Sequence, residues 1–458
     1  MVHMEAVALK MGEAGNIAGR LERLPLSFHH RKLILYHEIG WVLGSIGLAT
    51  TTFLLAPIAK EFSLTPKMTG LIGTMSFFGM FIGAGLSGIL GDKFGRKTML
   101  LVGIALWGMG SFLLAWSPTI EIFFASRVLL GLGMGTHFPM TQSMLSEMIP
   151  SQHRGRYISL LEGGWPIAFL VGGIISYFTL QVAGWRTVFI IQGLGAFYYF
   201  WVKVAIPESP RWYESIGKFD EAKEAVSHME THVAQRLGAP LPLVPPAATR
   251  ETVRSSKFSF LELWTKEYRL RTIMIWTLWF TALFGFYSLT TWMSALLVNA
   301  GFTVVKSAEY IILISLPGIP GYLSAAYLVD RLGRKPMVAG YMIMAAIACF
   351  FYGNATSFTA LVAWGAVMQF FMFGMWSLLY TYSPELYPTR ARATGCGFAS
   401  SLGRLGALIG PFVVGAILEK VGTSGVFTLG AAMFVIGAVT VLALGPETRG
   451  KTLEEIAA

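Results

Sequence analysis

The sequence predicts an all-α polytopic membrane protein, twelve transmembrane helices arranged as two six-helix bundles. Three observations carry that expectation. The 458-residue chain is 54% hydrophobic and only 13% charged, with a mean hydropathy of +0.59, about half the charged share of a soluble globular protein. Twelve stretches are apolar over the ~20 residues a helix needs to cross the hydrocarbon core. A charged loop, Asp92-Lys93-Phe94-Gly95-Arg96-Lys97, returns as Asp330-Arg331-Leu332-Gly333-Arg334-Lys335, an offset of 238 positions. A loop repeated half a chain later between apolar runs marks two copies of one membrane-embedded unit, the usual ground plan of a secondary transporter.

In chain order, residues 1–32 form a hydrophilic N-terminal segment without a secretory signal. The first bundle, 33–205, holds apolar spans at about 33–59, 69–90, 97–116, 120–146, 157–180 and 185–205. Gly79 and Gly83 in the second span, and Gly131, Gly133 and Gly135 in the fourth, allow close helix approach. Residues 206–271 read as a tether. Within it, Trp212, Ile216, Phe219, Ala222, Ala225 and Val226 share one face of an amphipathic helix near 210–233, and a proline-rich flexible stretch follows at 239–246. The second bundle, 272–445, has spans at about 272–298, 307–329, 337–353, 358–382, 394–418 and 424–445, and 446–458 is the tail. Cys349 and Cys396 both fall in or beside apolar segments and read as packed small residues, not as a disulfide.

A net charge of +10 would point to nucleic acid in a soluble protein. In a polytopic one it reflects basic cytoplasmic loops. With both termini in the cytoplasm, 27 of the 35 Lys and Arg residues fall in cytoplasmic segments, and only Lys60, Lys67, Arg186, Lys306 and Lys420 in outer loops. Arg127, Lys203 and Arg404 lie within spans. That asymmetry predicts a plasma-membrane protein with both termini cytoplasmic.

Two further motifs repeat. Glu147-x-x-Pro150-x-x-x-Arg154 returns as Glu385-x-x-Pro388-x-x-x-Arg392, again at an offset of 238. Pro207-Glu208-Ser209 is echoed by Pro446-Glu447-Thr448. With the first motif, these place acids and arginines at cytoplasmic helix ends. Asp92, Gly95, Arg96, Lys97, Glu147 and Arg154, with Asp330, Gly333, Arg334, Lys335, Glu385 and Arg392, are expected to form a conformational gate. Ordinary loop charge is the alternative, and the duplication argues against it.

These motifs resemble the major facilitator superfamily over nearly the whole chain. Pro207-Glu208-Ser209-Pro210-Arg211-Trp212 is similar to the sugar-porter and organic-ion branch. Gly184-Trp185-Arg186, Leu316-Pro317-Gly318, Tyr382-Ser383-Pro384-Glu385-Leu386-Tyr387-Pro388-Thr389 and Gly403-Arg404-Leu405-Gly406 resemble its bacterial niacin-transporter-like and aromatic-acid proton symporter members. The first outer loop is short, unlike the ectodomain of animal organic-cation transporters, which implies a microbial relative and the bacterial inner membrane. The resemblance implies a cavity between two bundles, lined by the first, fourth, seventh and tenth spans, working by alternating access.

Residue chemistry fits that expectation. Arg404 lies about ten residues into the eleventh span. A charge at that depth costs a few kcal/mol unless it faces a cavity and a partner, and its planar fork suits a carboxylate. A structural pair with an acid is the alternative. Trp41, Trp165, Tyr287, Trp376 and Tyr380 fall in the expected cavity spans, and Trp376 and Tyr380 are the candidates for stacking on a flat ring; such faces also hold cations. Tyr380 resembles the position of a sugar-porter cavity tryptophan. Glu162 stands where sugar porters place a substrate-binding glutamine, so it is read equally as a substrate or proton site and as part of the cytoplasmic charge network. His137 titrates near neutral pH in water, although a lone helix histidine is more often a packing residue. Arg127 resembles an arginine associated with coupling in sugar porters. His37 and Glu38 read as interfacial.

Two departures bear on coupling. Aromatic-acid symporters carry acids in the first span, where Gly40 to Gly47 has none, and niacin-type relatives tend to have an acid where His137 stands. Glu162 or His137 then carries the proton, or the protein is a facilitator. The expected function is import of a small organic anion, best matched by nicotinate or a related aromatic carboxylate. A drug or organic-cation/proton antiporter is the rival, weakened because the fifth span has Trp165-Pro166 and Gly172-Gly173 in place of an antiporter signature. No phosphate loop, metal cluster or catalytic triad is present in the sequence, so neither an enzyme nor a cofactor is expected. The expected partners are a small-molecule substrate, protons where transport is coupled, and the bilayer, for a monomer that binds no nucleic acid.

Overall fold

The structure is a computed structural model that describes residues 16–237, 240–244, 263–387 and 389–449, without the side chains at 151, 155, 159 and 389–394. Residues 239, 245 and 246 of the expected flexible stretch 239–246, the tail beyond 449 and the Arg392 side chain therefore lie outside the described residues.

The described residues form helices α1 (Ile17–Glu22), α2 (Phe28–Glu61), α3 (Pro66–Phe94), α4 (Arg96–Ala115) and α5 (Ile120–Met148). They continue as α6 (Ser151–Glu162), α7 (Gly164–Val182), α8 (Trp185–Gly195), α9 (Tyr198–Ala205), α10 (Pro210–Ser215) and α11 (Phe219–Leu237). The rest are α12 (Arg269–Asn299), α13 (Val304–Ser315), α14 (Gly318–Leu332), α15 (Arg334–Gly353), α16 (Phe358–Glu385) and α17 (Thr389–Leu444). Local chemistry sets several starts. Thr65, Thr303 and Ser357 cap α3, α13 and α16 by accepting an N–H of the first turn, and Pro66 opens α3 where no N–H is needed.

Among the described residues, ten helical runs are long and apolar enough to cross a membrane. They follow the expected spans with two differences. Helix α5 spans 29 residues but carries Arg127 and His137 on a glycine-rich, threonine-bearing stretch, so it is not among the ten. The last two expected spans run on as α17, interrupted at Gly422, whose φ of 64° and ψ of −175° are not helical. Three other spans are broken internally, at Gly163 between α6 and α7, at 196–197 between α8 and α9, and at 316–317 between α13 and α14. The single amphipathic helix expected near 210–233 is two helices, parted where Gly217 turns with φ of 78°. Trp212, Ala222 and Val226 are buried as expected, while Ile216 and Phe219 are exposed.

Helices α2–α9 pack mainly on one another, as do α12–α17. The tightest crossing in the first group is α3 on α5, where a Cβ on Gly131 would sit 2.0 Å from the Ser76 carbonyl oxygen, so only glycine admits that approach. The two groups meet where α3 packs on α17, α7 on α13 and α2 on α12. At the end remote from the charged loops this contact is backbone-close. Thr74 Oγ1 donates to the Leu408 carbonyl at 2.8 Å. A Cβ on Gly70 would lie 2.5 Å from the Pro411 oxygen, and one on Gly415 would lie 2.4 Å from the Pro66 oxygen. Linker helix α11 is tied to α1 by Arg20 and Arg23, which both bind Glu230, at 2.6 and 2.7 Å.

Candidate functional site

Between the two groups lies a cavity of about 640 Å³. It is lined by Trp41 of α2, Phe138 and Gln142 of α5, Trp165 of α7, Trp279 and Tyr287 of α12, Trp376 and Tyr380 of α16, and Arg404 of α17. Toward the charged-loop ends it continues past Ser146, Ser383, Cys396 and Gly397. The opposite end is closed by the backbone contacts described above.

The walls are aromatic, with Trp376 and Tyr380 stacked at 6.2 Å and 23° between planes. Trp279 meets Tyr380 edge-on at 5.4 Å, and its indole N–H donates to Ser383 Oγ at 2.8 Å. Tyr287 touches Trp376, Trp165 and Phe77, at 6.1, 6.3 and 4.4 Å. Trp41 packs on Phe138 at 4.4 Å. Arg404 borders this box, half-buried. Among the described residues no carboxylate lies within 4.0 Å of its guanidinium.

The charge of Arg404 reaches Glu162. Glu162 ends α6 at the break before Gly164, where it is 2% exposed. Gln142 Nε2 donates to Glu162 Oε1 at 2.5 Å, and the Tyr380 hydroxyl also faces the carboxylate. Glu162 is not itself among the lining residues; it sits behind the wall, bonded to the lining Gln142, and not in the charged-loop network. The expectation that His37 and Glu38 are interfacial is corrected. His37 is buried. Glu38 stands close enough to α7 that a Cβ on Gly164 would meet its Oε1 at 2.6 Å, and its charge reaches Glu162.

His137 and Arg127 do not line the cavity. The His137 ring turns to α2, near where side chains on Gly40 and Gly44 would begin. Arg127 is wholly buried, and it donates to the Ile72 and Gly47 carbonyls at 3.3 and 3.4 Å and to Thr51 Oγ1. Its partners are neutral.

The charged motifs build the same network twice. In the first group Arg96 binds Asp92 at 2.5 Å and Glu147 at 3.3 Å, and Ser209 Oγ donates to Glu147. In the second Arg334 binds Asp330 and Glu385, each at 3.0 Å, and Thr448 Oγ1 donates to Glu385 at 2.5 Å. Gly95 and Gly333 adopt φ of 103° and 101°. That left-handed turn bares the first amides of α4 and α15. Glu208 accepts the Lys97 N–H at 3.0 Å, and Glu447 accepts those of Arg334 and Lys335 at 2.9 and 3.0 Å. Burial raises the Glu208 carboxyl above its ordinary 4.5, only partly offset by these amides. Burial also pushes Glu447 up, but four backbone N–H bonds outweigh it and hold the carboxyl below 4.5. Arg154 does not join Glu147; it binds Glu22 of α1 at 3.3 Å, beside Arg211 at 3.0 Å.

Trp279, one of the aromatics of the expected cavity spans, lines the cavity, and Gln142 lines it outside the expected set. Gln142 follows Phe138 by four positions, so helical spacing puts it on the face of a cavity aromatic.

Membrane-crossing helices, a central cavity and paired charged loops define a multi-pass membrane transporter. The family described as sugar (and other) transporter matches residues 39–458. The chain belongs to that family, and it is a major facilitator superfamily transporter and not an enzyme. It is 36% identical over 442 residues to the niacin transporter NiaP of Acinetobacter baylyi, covering 96% of this chain and 99% of that one. It is 31% identical over 425 residues to the putative niacin/nicotinamide transporter NiaP of Bacillus subtilis, covering 93% and 98%. Its fold is similar to that of the E. coli xylose transporter XylE in a partially occluded inward-open conformation. There the TM-score is 0.75 at 19% identity, over 93% of this chain and 100% of that one.

Proposed function

We propose that this protein imports a small aromatic carboxylate, nicotinate first among candidates, across the bacterial inner membrane by alternating access. The observation that carries the reading is the Arg404 guanidinium, set without a carboxylate partner in a cavity walled by the stacked Trp376–Tyr380 pair. A flat ring lies against those aromatics while the carboxylate takes the arginine fork. Trp41, Trp165 and Tyr287 complete the walls. The relatives named as niacin transporters support the substrate class.

The chain crosses the membrane twelve times, counting α5 and the two arms of α17. Bundles at 33–205 and 272–445 are joined by the 206–271 tether, and the protein works as a monomer. The lysine and arginine asymmetry puts the charged loops and both termini in the cytoplasm, so the cavity faces inward here. Outward opening separates the Gly70–Pro411 and Thr74–Leu408 contacts and brings the two charged networks together. These networks, Asp92–Arg96–Glu147 and Asp330–Arg334–Glu385, then act as the inner gate.

Coupling rests on Glu162. An ionised Glu162 behind the cavity wall repels a substrate carboxylate in the cavity, so substrate enters with a proton on Glu162. His137 and Arg127, set back from the cavity, act at most through the helices they hold. One observation favours an uncoupled facilitator instead: Arg127 is satisfied by carbonyls and a threonine, with no acid to exchange a proton.

Nicotinate uptake into proteoliposomes, with and without an imposed proton gradient, tests the reading. Accumulation that follows the gradient and is competed by benzoate supports symport. Equilibration that ignores the gradient supports the facilitator. Stabilisation by organic cations with no response to carboxylates would sink the anion reading in favour of an antiporter.

A further inference from the structure

A second pocket, distinct from the central cavity and independent of the substrate reading, lies where the start of α2, the end of α9 and linker helix α11 meet. It encloses about 200 Å³. Its polar lining is Lys32, His29, His228, His232 and Arg236, with Tyr36 on one wall. No carboxylate lines it among the described residues. His228, His232 and Arg236 follow one another at four-residue spacing, so they form one stripe of α11. The rings of His228 and His232 are 4.3 Å apart, and those of His29 and His232 are 5.7 Å apart.

His232 Nδ1 lies 2.8 Å from the His228 carbonyl; as donor to it, the neutral ring keeps Nε2 as an acceptor, and Nε2 donates only when the ring is protonated. His29 Nε2 is buried with no hydrogen-bond partner among the described residues. The two permanent cations rest on aromatic faces, Lys32 on Tyr36 at 5.6 Å and Arg236 on Phe28 at 5.0 Å. Neither has an ion pair among the described residues. Close by, α9 presents Phe200, Trp201 and Val204, exposed by 61%, 56% and 88%, as a lipid-facing helix end does. Trp201 packs edge-on against Tyr36 at 5.6 Å.

We propose that this pocket binds a phosphate anion, supplied by the headgroup of an acidic phospholipid. The recognised chemistry is a phosphate held by one lysine, one arginine and the Nε2–H of the His29 imidazole. Basic pockets between helix ends on the cytoplasmic side suit such headgroups, and the apolar end of α9 gives the acyl chains a surface. Occupancy clamps α11 to α2 and so bears on the linker between the bundles.

The test titrates full-length protein in detergent with phosphatidylglycerol, and in parallel with phosphatidylcholine of the same chains, reading the thermal midpoint. Two soluble arms use inorganic phosphate and glycerol 3-phosphate at matched ionic strength. Phosphatidylglycerol is expected to stabilise wild type, and the Lys32→Ala/Arg236→Ala protein to need at least about 10-fold more lipid. Lys218→Ala/Lys223→Ala, which removes equal charge from the same linker, is expected to behave as wild type. Should the double variant not fold, Arg236→Ala alone carries the same comparison. Equal stabilisation by the soluble phosphates, lost in the same variant, keeps the phosphate site and assigns it a soluble source. The proposal is overturned if phosphatidylglycerol does not distinguish wild type from the variant, or if the Lys218/Lys223 control loses as much. It is also overturned if only a zinc salt stabilises, through His228 and His232.

Discussion

Gln142, on the cavity wall, donates its side-chain amide to Glu162 at 2.5 Å and so holds a carboxylate just behind that wall, within the electrostatic reach of Arg404. If that carboxylate carries the coupled proton, Glu162→Gln separates transport from coupling. Exchange of labelled for unlabelled nicotinate persists in proteoliposomes, while accumulation driven by a pH gradient is lost. Gradient-driven accumulation by the variant would remove Glu162 from the coupling step.

In the proposed binding mode, Arg404→Ala removes the charged partner of the substrate carboxylate. Truncating one side of a buried charge pair costs about 2–5 kcal/mol, so the nicotinate Kd by calorimetry weakens by roughly 30-fold or more. Trp376→Ala costs less, about 0.5–1.5 kcal/mol beyond lost area, and weakens nicotinate and nicotinamide alike. Arg404→Ala spares nicotinamide, which has no carboxylate. An Arg404→Ala protein that keeps its nicotinate affinity contradicts the fork.

Gly70→Leu puts a side chain where a Cβ alone would stand 2.5 Å from the Pro411 oxygen. The sealed end can no longer close, and the population moves to the outward-facing form. Cys396 lines the cavity and Cys349 is fully buried, so the native thiols report the change. Labelling of Cys396 by a polar maleimide is expected to slow at least several-fold in Gly70→Leu, with Cys349 silent in both proteins. Unchanged labelling means that the contact does not set the equilibrium.

The two networks differ in their response to acid. Glu447 has a depressed carboxyl, so its contribution to stability is complete above 4.5 and is lost as pH falls through its lower folded value. Glu447→Gln therefore lowers the thermal midpoint at pH 7, by an amount equivalent to about 1–3 kcal/mol for hydrogen bonds to a charged group, and the difference shrinks in acid. Glu208 is raised above 4.5. Its ionisation opposes folding as pH rises through the folded value, so Glu208→Gln is near neutral or stabilising at pH 7. Matching losses in the two variants at pH 7 would refute the asymmetry.

The duplication at Asp92 and Asp330 made the repeat legible in sequence, because motif spacing survives folding unchanged. The cavity aromatics were legible because they recur in the spans that the family resemblance assigned to the interior. Pairing was not. Arg154 lies seven residues after Glu147, yet it binds Glu22 of α1 because α6 begins a new helix at Ser151. Glu38 lies near the edge of the first apolar span in sequence, whereas in the structure the start of α7 at Gly164 packs against it. His137 drew notice as a titratable residue, but rotation about α5 turns it toward α2. The direction a side chain takes on a helix buried on all sides has no sequence signal when apolar residues surround it.

Arg127 bears on the order in which the chain can be built. An arginine on a lone membrane helix costs up to about 2.5–3.5 kcal/mol to insert, the value at the helix centre, and α5 lacks the apolarity of its neighbours. The carbonyls of Gly47 and Ile72 and the Thr51 hydroxyl that receive its guanidinium belong to α2 and α3. Both helices leave the ribosome before α5. The fourth crossing is thus fitted to a dock already synthesised, and transplanting α5 into an unrelated chain would strand it at the membrane surface.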